Sequence, residues 1–435
     1  MLRGMPFFVS AIMEPEFDVL IVGAGASGLM AALEFALAGR KVGIIEASAR
    51  VGGRINNFIK KDGMVIEGGA EFIHGNLPIT MDLLKKAGIE TYKLDGEMWQ
   101  QRQSNLKPVE DFMVDQDLLM KKLKEVKEDI SIADFMKQFL AGEKYKELRF
   151  NLQKYVEGYD AANLEKASTL ALKKEMESGE DEEYKIHGGY GKLIEFLNNE
   201  CVEKGCTFYL GEPVISVDYS NEKISIQTKT RRFLADKMLV TVSAGVLKSG
   251  MIQFKPAISD KINAVSGLGF GGVIKMIFHF KTPFWKLVTS KDLSDLMFLF
   301  SDKAVPTWWT DHNSKQPKLT GWIGGPNAEK LKNHNNQELT DLAFKSLSES
   351  LQIPVSLIEE EMIDANIFNW LEDVHFRGAY SYEVIKGESL KEILRKPVQN
   401  RVYFAGEALY SGPYNGTVEA ALSSGRETAQ RIIAG

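Results

Sequence analysis

The sequence predicts an α/β protein: a Rossmann-like dinucleotide-binding domain built from discontinuous segments, beside a mixed α+β substrate domain with a helical insertion. Three observations predict it. A glycine-rich turn, Gly23-Ala24-Gly25-Ala26-Ser27-Gly28, stands between an apolar run and a small-residue run. The hydrophobic period then changes several times along 435 residues, from charged helical stretches to alternating strands and back. Near the far end, Phe404-Ala405-Gly406-Glu407 closes a short apolar strand, ahead of another helix start after Gly416.

Phe17 to Val22 reads as a strand, the glycine run as a tight turn and Leu29 to Leu37 as a helix. Gly23, Gly25 and Gly28 meet three needs of such a turn: tight curvature, close approach of backbone to a pyrophosphate, and close packing of helix on strand. Ala26 and Ser27 open the helix, whose free N–H groups and partial positive charge suit phosphates. Gly39 ends that helix and Lys41 to Ile45 forms the next strand. Glu46, followed by Ala47, stands at its carboxyl end, where a carboxylate accepts both ribose hydroxyls and disfavours a 2′-phosphate.

Two further turns follow. Arg50-Val51-Gly52-Gly53-Arg54 brings Gly53 close and lets Arg54 reach a pyrophosphate, while Glu67 to Gly75, with Gly69, Ala70 and Glu71, lets a flat ring lie on the backbone. Residues 80–185 read as mainly helical and charged, with Leu118, Leu119, Leu123 and Val126 at helical spacing. Gly188-Gly189-Tyr190 opens another helix, and Cys206 to Val242 reads as alternating strands that include Val214. Gly267 to Gly272 leads into a strand over Val273 to Phe280. The expected dinucleotide-binding domain is therefore 14–79, 205–260 and 395–435, and the substrate domain 80–204 and 261–394.

Composition bounds the function. The net charge of −6 is spread along the chain, which gives no reason to expect nucleic acid and suits a cationic substrate. Cys201 and Cys206 read as two reduced thiols, with no second pair to complete a metal site. No apolar stretch approaches bilayer length, so a cytoplasmic protein without membrane contact is expected. Residues 1–13 read as a flexible leader rather than a signal peptide.

The most specific string is Val240-Thr241-Val242-Ser243-Ala244-Gly245-Val246-Leu247-Lys248, continuing through Ile252, Phe254 and Pro256 to Leu268-Gly269-Phe270-Gly271, Lys275 and Phe284-Trp285. Trp370, Gly378, Tyr380, Ser381 and Tyr382 come next, then Phe404 to Glu407. In this order, from Asp18 to Gly425, the chain resembles the flavin-containing amine oxidases, which include monoamine oxidases, polyamine oxidases and histone demethylase relatives.

The resemblance implies FAD as cofactor. Lys275 matches the lysine that holds a water against flavin N5, and its place between Ile274 and Met276 in an apolar strand calls for a reason. Tyr380 matches the aromatic wall that guides the substrate nitrogen, and Trp370 a residue beside the isoalloxazine. Val214, Gly406, Glu407, Thr417 and Val418 fall in cofactor-cradling segments. His74 lies where polyamine-oxidising relatives place a His or Glu near substrate, and Trp322 lies on a strand expected to line the cavity with Trp308 and Trp309. Thr417 replaces a second aromatic wall, for which Tyr414 is the substitute. Glu67 and Ala420 depart from the usual Asp and Gly. Ala379 stands where animal monoamine oxidases carry the flavin-bonding cysteine, so FAD is expected to be noncovalent.

The expected activity is FAD-dependent oxidation of a C–N bond in a polyamine or related aliphatic amine. Hydride passes to flavin N5, the imine hydrolyses to an aldehyde, and O2 becomes H2O2. The alternatives are a monoamine oxidase, an L-amino-acid oxidase with Arg377 as carboxylate partner, or a catalytically silent FAD-binding scaffold. Oligomeric state is left open.

Overall fold

The strand Glu16–Val22 lies at the centre of an eight-stranded sheet, paired in parallel with Val42–Ile45 on one side and Arg232–Val240 on the other. The period of two along it feeds two cores: Val19 and Ile21 point to one face, Leu20 and Val22 to the other. This computed structural model describes residues 14–103, 105–110, 113, 115–178, 182–287, 291–311 and 316–435. The leader expected over 1–13 lies outside the described residues.

Arg232–Val240 carries two partners in succession. Its first half pairs antiparallel with Ile224–Thr228, and its last three residues pair in parallel with Val402–Phe404. The C-terminal segment is thereby drawn into the first sheet, one strand removed from Glu16–Val22. The helix Ala26–Leu37 packs on the long C-terminal helix Val418–Ala434, so both helices begin at the same end of the sheet.

A second sheet of seven strands runs Met362–Asn369, Val273–Phe280, Lys318–Gly324, Thr307–Thr310, Leu296–Ser301, Glu97–Arg102 and Asn105–Val109. One face packs on the helix Asn336–Leu351, whose N-terminus is closed by a reciprocal cap between Asn335 and Glu338. The last two strands correct the helical reading of 80–185 at its start. Glu97–Arg102 is polar by composition, yet it buries Trp99 and Gln101 at alternate positions, a strand pattern that its charges obscure.

From Gln116 to Ser178 the chain is helical as expected, with its own core around Phe135 and Leu152. Lys146–Lys154 runs into a single wide turn, Tyr155–Tyr159, of π-helical form. A three-stranded sheet places Glu183–Ile186 between Ile73–His74 and Thr91–Lys93. Helices from the segments expected in the substrate domain also serve the first sheet: Leu84, Leu193 and Leu197 join one of its cores, Val265 and Leu394 the other.

Candidate active site

One cavity of about 1270 Å³ runs from the glycine turn to the inner face of the second sheet. At its near end, Gly23, Gly25, Ala26 and Ser27 form the wall. Gly28 does not line it. A Cβ there would sit 2.0 Å from the Gly23 carbonyl oxygen and 2.9 Å from Thr241 Oγ1, so this glycine serves packing behind the turn. Ser27 Oγ is buried at the start of the helix with no hydrogen-bond partner among the described residues. An unsatisfied hydroxyl beside free helix N–H groups suits a phosphate oxygen.

Glu46 and Ala47 continue this wall, facing Val214. The Glu46 carboxylate accepts from Ala24 N–H (2.7 Å) and from Ser48 N–H (2.9 Å) and Oγ–H (2.7 Å). These bonds fix its direction and leave acceptor capacity for hydroxyls in the cavity.

Midway, Gly53, Arg54, Gly69, Ala70, Gly406 and Glu407 face the cavity. Arg54 Nη1 donates to the Ala379 carbonyl (2.6 Å) and to Glu407 Oε1 (2.7 Å), while Glu407 Oε2 accepts from Ser381 Oγ–H at 2.6 Å. The Glu407 carboxylate thus ties the C-terminal segment to Arg54 and to the strand Tyr380–Tyr382, and is largely committed to protein. Gly69 permits close stacking of chain on chain: a Cβ there would overlap the Arg54 carbonyl oxygen at 1.7 Å. Trp370 lines the same stretch, with its indole N–H held by the Gly68 carbonyl at 3.0 Å.

Thr417 and Val418 lie where the C-terminal helix begins. Thr417 Oγ1 caps it by accepting from Ala420 N–H at 3.2 Å, so the residue that replaces an aromatic wall closes a helix end. The first-turn N–H groups of Val418 and Glu419 have no acceptor within the helix, and Val418 lines the cavity. Ala420 is fully buried, and the turn around it is regular.

The far end is a chamber lined by Lys275, Tyr380, Trp322, Tyr414 and His74. Trp322 and Tyr380 lie nearly parallel, 6.5 Å apart, and each is tethered to the wide turn: Trp322 Nε1–H donates to the Gly158 carbonyl (2.8 Å) and Tyr380 O–H to the Tyr159 carbonyl (2.5 Å). Trp309 joins them, but Trp308 faces the core behind the sheet, because consecutive strand residues point to opposite faces. His74 Nδ1 lies 3.3 Å from Glu183 Oε1 and 3.2 Å from the Tyr159 hydroxyl.

Lys275 is 1% exposed. Its Nζ donates to Glu71 Oε2 at 2.5 Å and to the Gly69 carbonyl at 3.0 Å, and lies 5.4 Å from the centre of the Trp309 ring. The other Glu71 oxygen accepts from Lys185 Nζ at 2.7 Å. Burial alone would raise the Glu71 pKa, but Lys185, Lys275 and Lys318 outweigh it and hold this carboxyl well below the usual range. Burial would likewise lower Lys185, and Glu71, Glu67 and Asp311 together hold it well above the ordinary lysine value.

Sequence reasoning missed Lys185, Tyr159 and Asp160. Lys185 carried the same signal as Lys275, a cation between apolar neighbours, here Tyr184 and Ile186. Asp160 lines the chamber, and burial, then Glu175, pushes its carboxyl well above the ordinary aspartate value; no local pattern marks it. Arg377 is not among the residues lining the cavity. Both cysteines are free and buried behind the first helix, with Cys201 Sγ 3.4 Å from the Leu29 carbonyl.

A glycine turn and an aromatic, charge-bearing chamber thus share one continuous cavity. The chain belongs to the family of flavin containing amine oxidoreductases, which it matches over residues 26–433. Polyamine oxidase 2 of Arabidopsis thaliana is 27% identical over 455 residues, covering 95% of this chain and 87% of that protein. Lysine-specific histone demethylase 1B of Mus musculus is 26% identical over 449 residues, 96% of this chain and 53% of that protein, so the chain spans about half its length. A structure of putrescine oxidase bound to putrescine shares the fold, with a TM-score of 0.79 at 19% identity, covering 97% of this chain and 99% of that one. Among the described residues, no helix is long and apolar enough to cross a membrane, and no cluster of metal-ligating side chains occurs.

Proposed function

We propose that the protein holds FAD noncovalently and oxidises a diamine or polyamine, with O2 as acceptor. FAD, when bound, would supply the oxidising chemistry: acceptance of a hydride from the carbon beside the amine nitrogen, with O2 taking up the two electrons as H2O2. The turn at Gly23 to Ser27 suits the pyrophosphate, Glu46 the adenosine ribose, and the N–H groups at Val418 and Glu419 the electron-rich edge of the ring. Among the described residues, no cysteine lines the cavity, which supports noncovalent binding. Two unjoined buried thiols also fit a reducing compartment such as the cytoplasm.

One observation carries the substrate reading: the chamber offers two environments to one molecule. Trp322, Tyr380 and Trp309 form an aromatic end beside Lys275, whereas carboxyl groups stand at the rim, Glu183 against His74 and Asp160 near Tyr380. An alkyl ammonium with a solution pKa of about 10 must lose a proton before its carbon can give up hydride. The aromatic end favours that neutral amine, and the acidic side retains a second, charged nitrogen. An amino-acid substrate has less support, since Arg54 is already paired with Glu407 and Arg377 does not face the cavity.

The test is an anaerobic titration of the purified protein, following flavin absorbance. Putrescine, spermidine or spermine should bleach it at lower concentration than monoamines of similar length. Bleaching by aryl monoamines alone would replace the diamine reading, and a flavin oxidised after every amine would leave an FAD-binding scaffold.

A further inference from the structure

Six charged side chains lie between the main cavity and a smaller one of about 350 Å³ that Lys185 and Ile186 help to line. Lys275, Lys185 and Lys318 face Glu71, Glu67 and Asp311, and only Asp311 is more than a tenth exposed. Removing so many charges from water costs several kcal/mol per ion unless each is paired. Lys275 and Glu71 meet the main cavity, whereas Lys185, Glu67, Asp311 and Lys318 line the smaller one.

We propose that Glu71, held in turn by Lys185, is a positioning residue that decides which polarity Lys275 presents to the reaction chamber. The effect on the reaction rests on the amine oxidase reading above; the arrangement itself does not. Two of the Lys275 N–H groups are spent on Glu71 and on the Gly69 carbonyl. A third exists only while the group is an ammonium ion, and it finds no protein acceptor among the described residues. Charged, Lys275 therefore offers the chamber a hydrogen-bond donor. Neutral, it keeps the same two bonds and offers a lone pair, an acceptor. The Glu71 carboxylate, 2.5 Å from Nζ, supplies the opposite charge that a buried ammonium group requires, and without it that charge would stand unpaired. Lys185 at 2.7 Å keeps Glu71 ionised, and Glu67 and Asp311, at 3.4 Å and 3.3 Å, keep Lys185 in place. A donor at that point orients a water or O2-derived oxygen by its lone pairs, and an acceptor would turn the same molecule round.

The test reads the charge on Lys275 directly. Purified holoprotein, with flavin content measured first, is acetylated competitively with acetic anhydride across a pH series, and labelling at Lys275 is read by peptide mass mapping. Near pH 8, Glu71→Gln should raise labelling about tenfold over the parent, with the ratio falling toward one as pH rises and both proteins lose the charge. Lys185→Met should give a smaller rise, about threefold, and Glu71→Asp should restore labelling close to the parent. Equal labelling in parent, Glu71→Gln and Lys185→Met overturns the proposal. A raised ratio that stays constant with pH also overturns it, because that signals access rather than charge. If Glu71→Gln fails to fold, Lys185→Met and Glu71→Asp carry the same comparison. A parent flavin that no amine bleaches would defeat the amine oxidase reading while leaving these ratios as they are.

Discussion

The two ends of the cavity are made in different ways. Near the first strand, the wall is largely backbone: Gly23, Gly25 and Ala26 bring their main chain to the cavity, and side chains enter mainly as Ser27 and Glu46. In the chamber, the wall is side chain: Lys275, Tyr380, Trp322 and His74 arrive from separate strands and are held by partners from yet others. A backbone wall can be disrupted by adding one carbon, while a side-chain wall fails by losing one charge. The first damages cofactor retention, and the second damages turnover with the cofactor still bound.

The sharpest way to break this contrast is to substitute one glycine and one lysine. Gly28→Val places atoms against the Gly23 carbonyl and should cost about 3 kcal/mol or more, leaving a colourless protein after purification. Urea unfolding and flavin absorbance check both effects. Lys275→Met should instead retain full flavin content and slow flavin reduction or reoxidation by about 100-fold in stopped flow. A yellow Gly28→Val protein, or a colourless Lys275→Met one, would erase the distinction between the two walls.

The same contrast explains what was legible in the sequence. The backbone wall depends on small residues at fixed short spacing, so Gly23 to Gly28 announced strand, turn and helix together. The chamber depends on convergence over distance. Lys275 stood out because a cation in an apolar strand needs a partner, but Glu71 lies 204 positions away, and nothing local joined the two. The wide turn Tyr155–Tyr159 was invisible for another reason: its residues continue a helical pattern, and its carbonyls gain purpose only where Trp322 and Tyr380 reach them. Glu97–Arg102 misled because a strand one place from the edge of a sheet can be polar in composition, so alternation alone marked it.

A smaller effect tests the nucleotide end by charge instead of shape. Glu46→Gln keeps the side chain's size and one acceptor oxygen but removes the charge that suits ribose hydroxyls. FAD affinity should fall by about tenfold, corresponding to about 1.4 kcal/mol for a weakened charge-assisted bond. Flavin fluorescence during reconstitution of the apoprotein measures it, and unchanged affinity would remove Glu46 from the ribose contact.

The smallest expected effect is the one that ties chamber electrostatics to substrate choice. Burial, then Glu175, raises the Asp160 pKa well above its unfolded value. With the folded pKa above the unfolded one, the stabilising contribution is complete below the unfolded pKa of about 3.9 and is lost as pH rises through the folded pKa. Asp160→Asn removes this dependence, so its Tm should exceed the parent's at alkaline pH by about 3 °C and converge with it, or fall below it, toward about pH 4. Substrate binding should respond in the opposite sense. An ammonium ion beside Asp160 favours the ionised carboxylate, so the KM for a diamine should rise about fivefold in Asp160→Asn at neutral pH while a monoamine of the same length changes little. A Tm gain without that split would make Asp160 a buried acid of the fold and return the choice of substrate to Glu183 and His74.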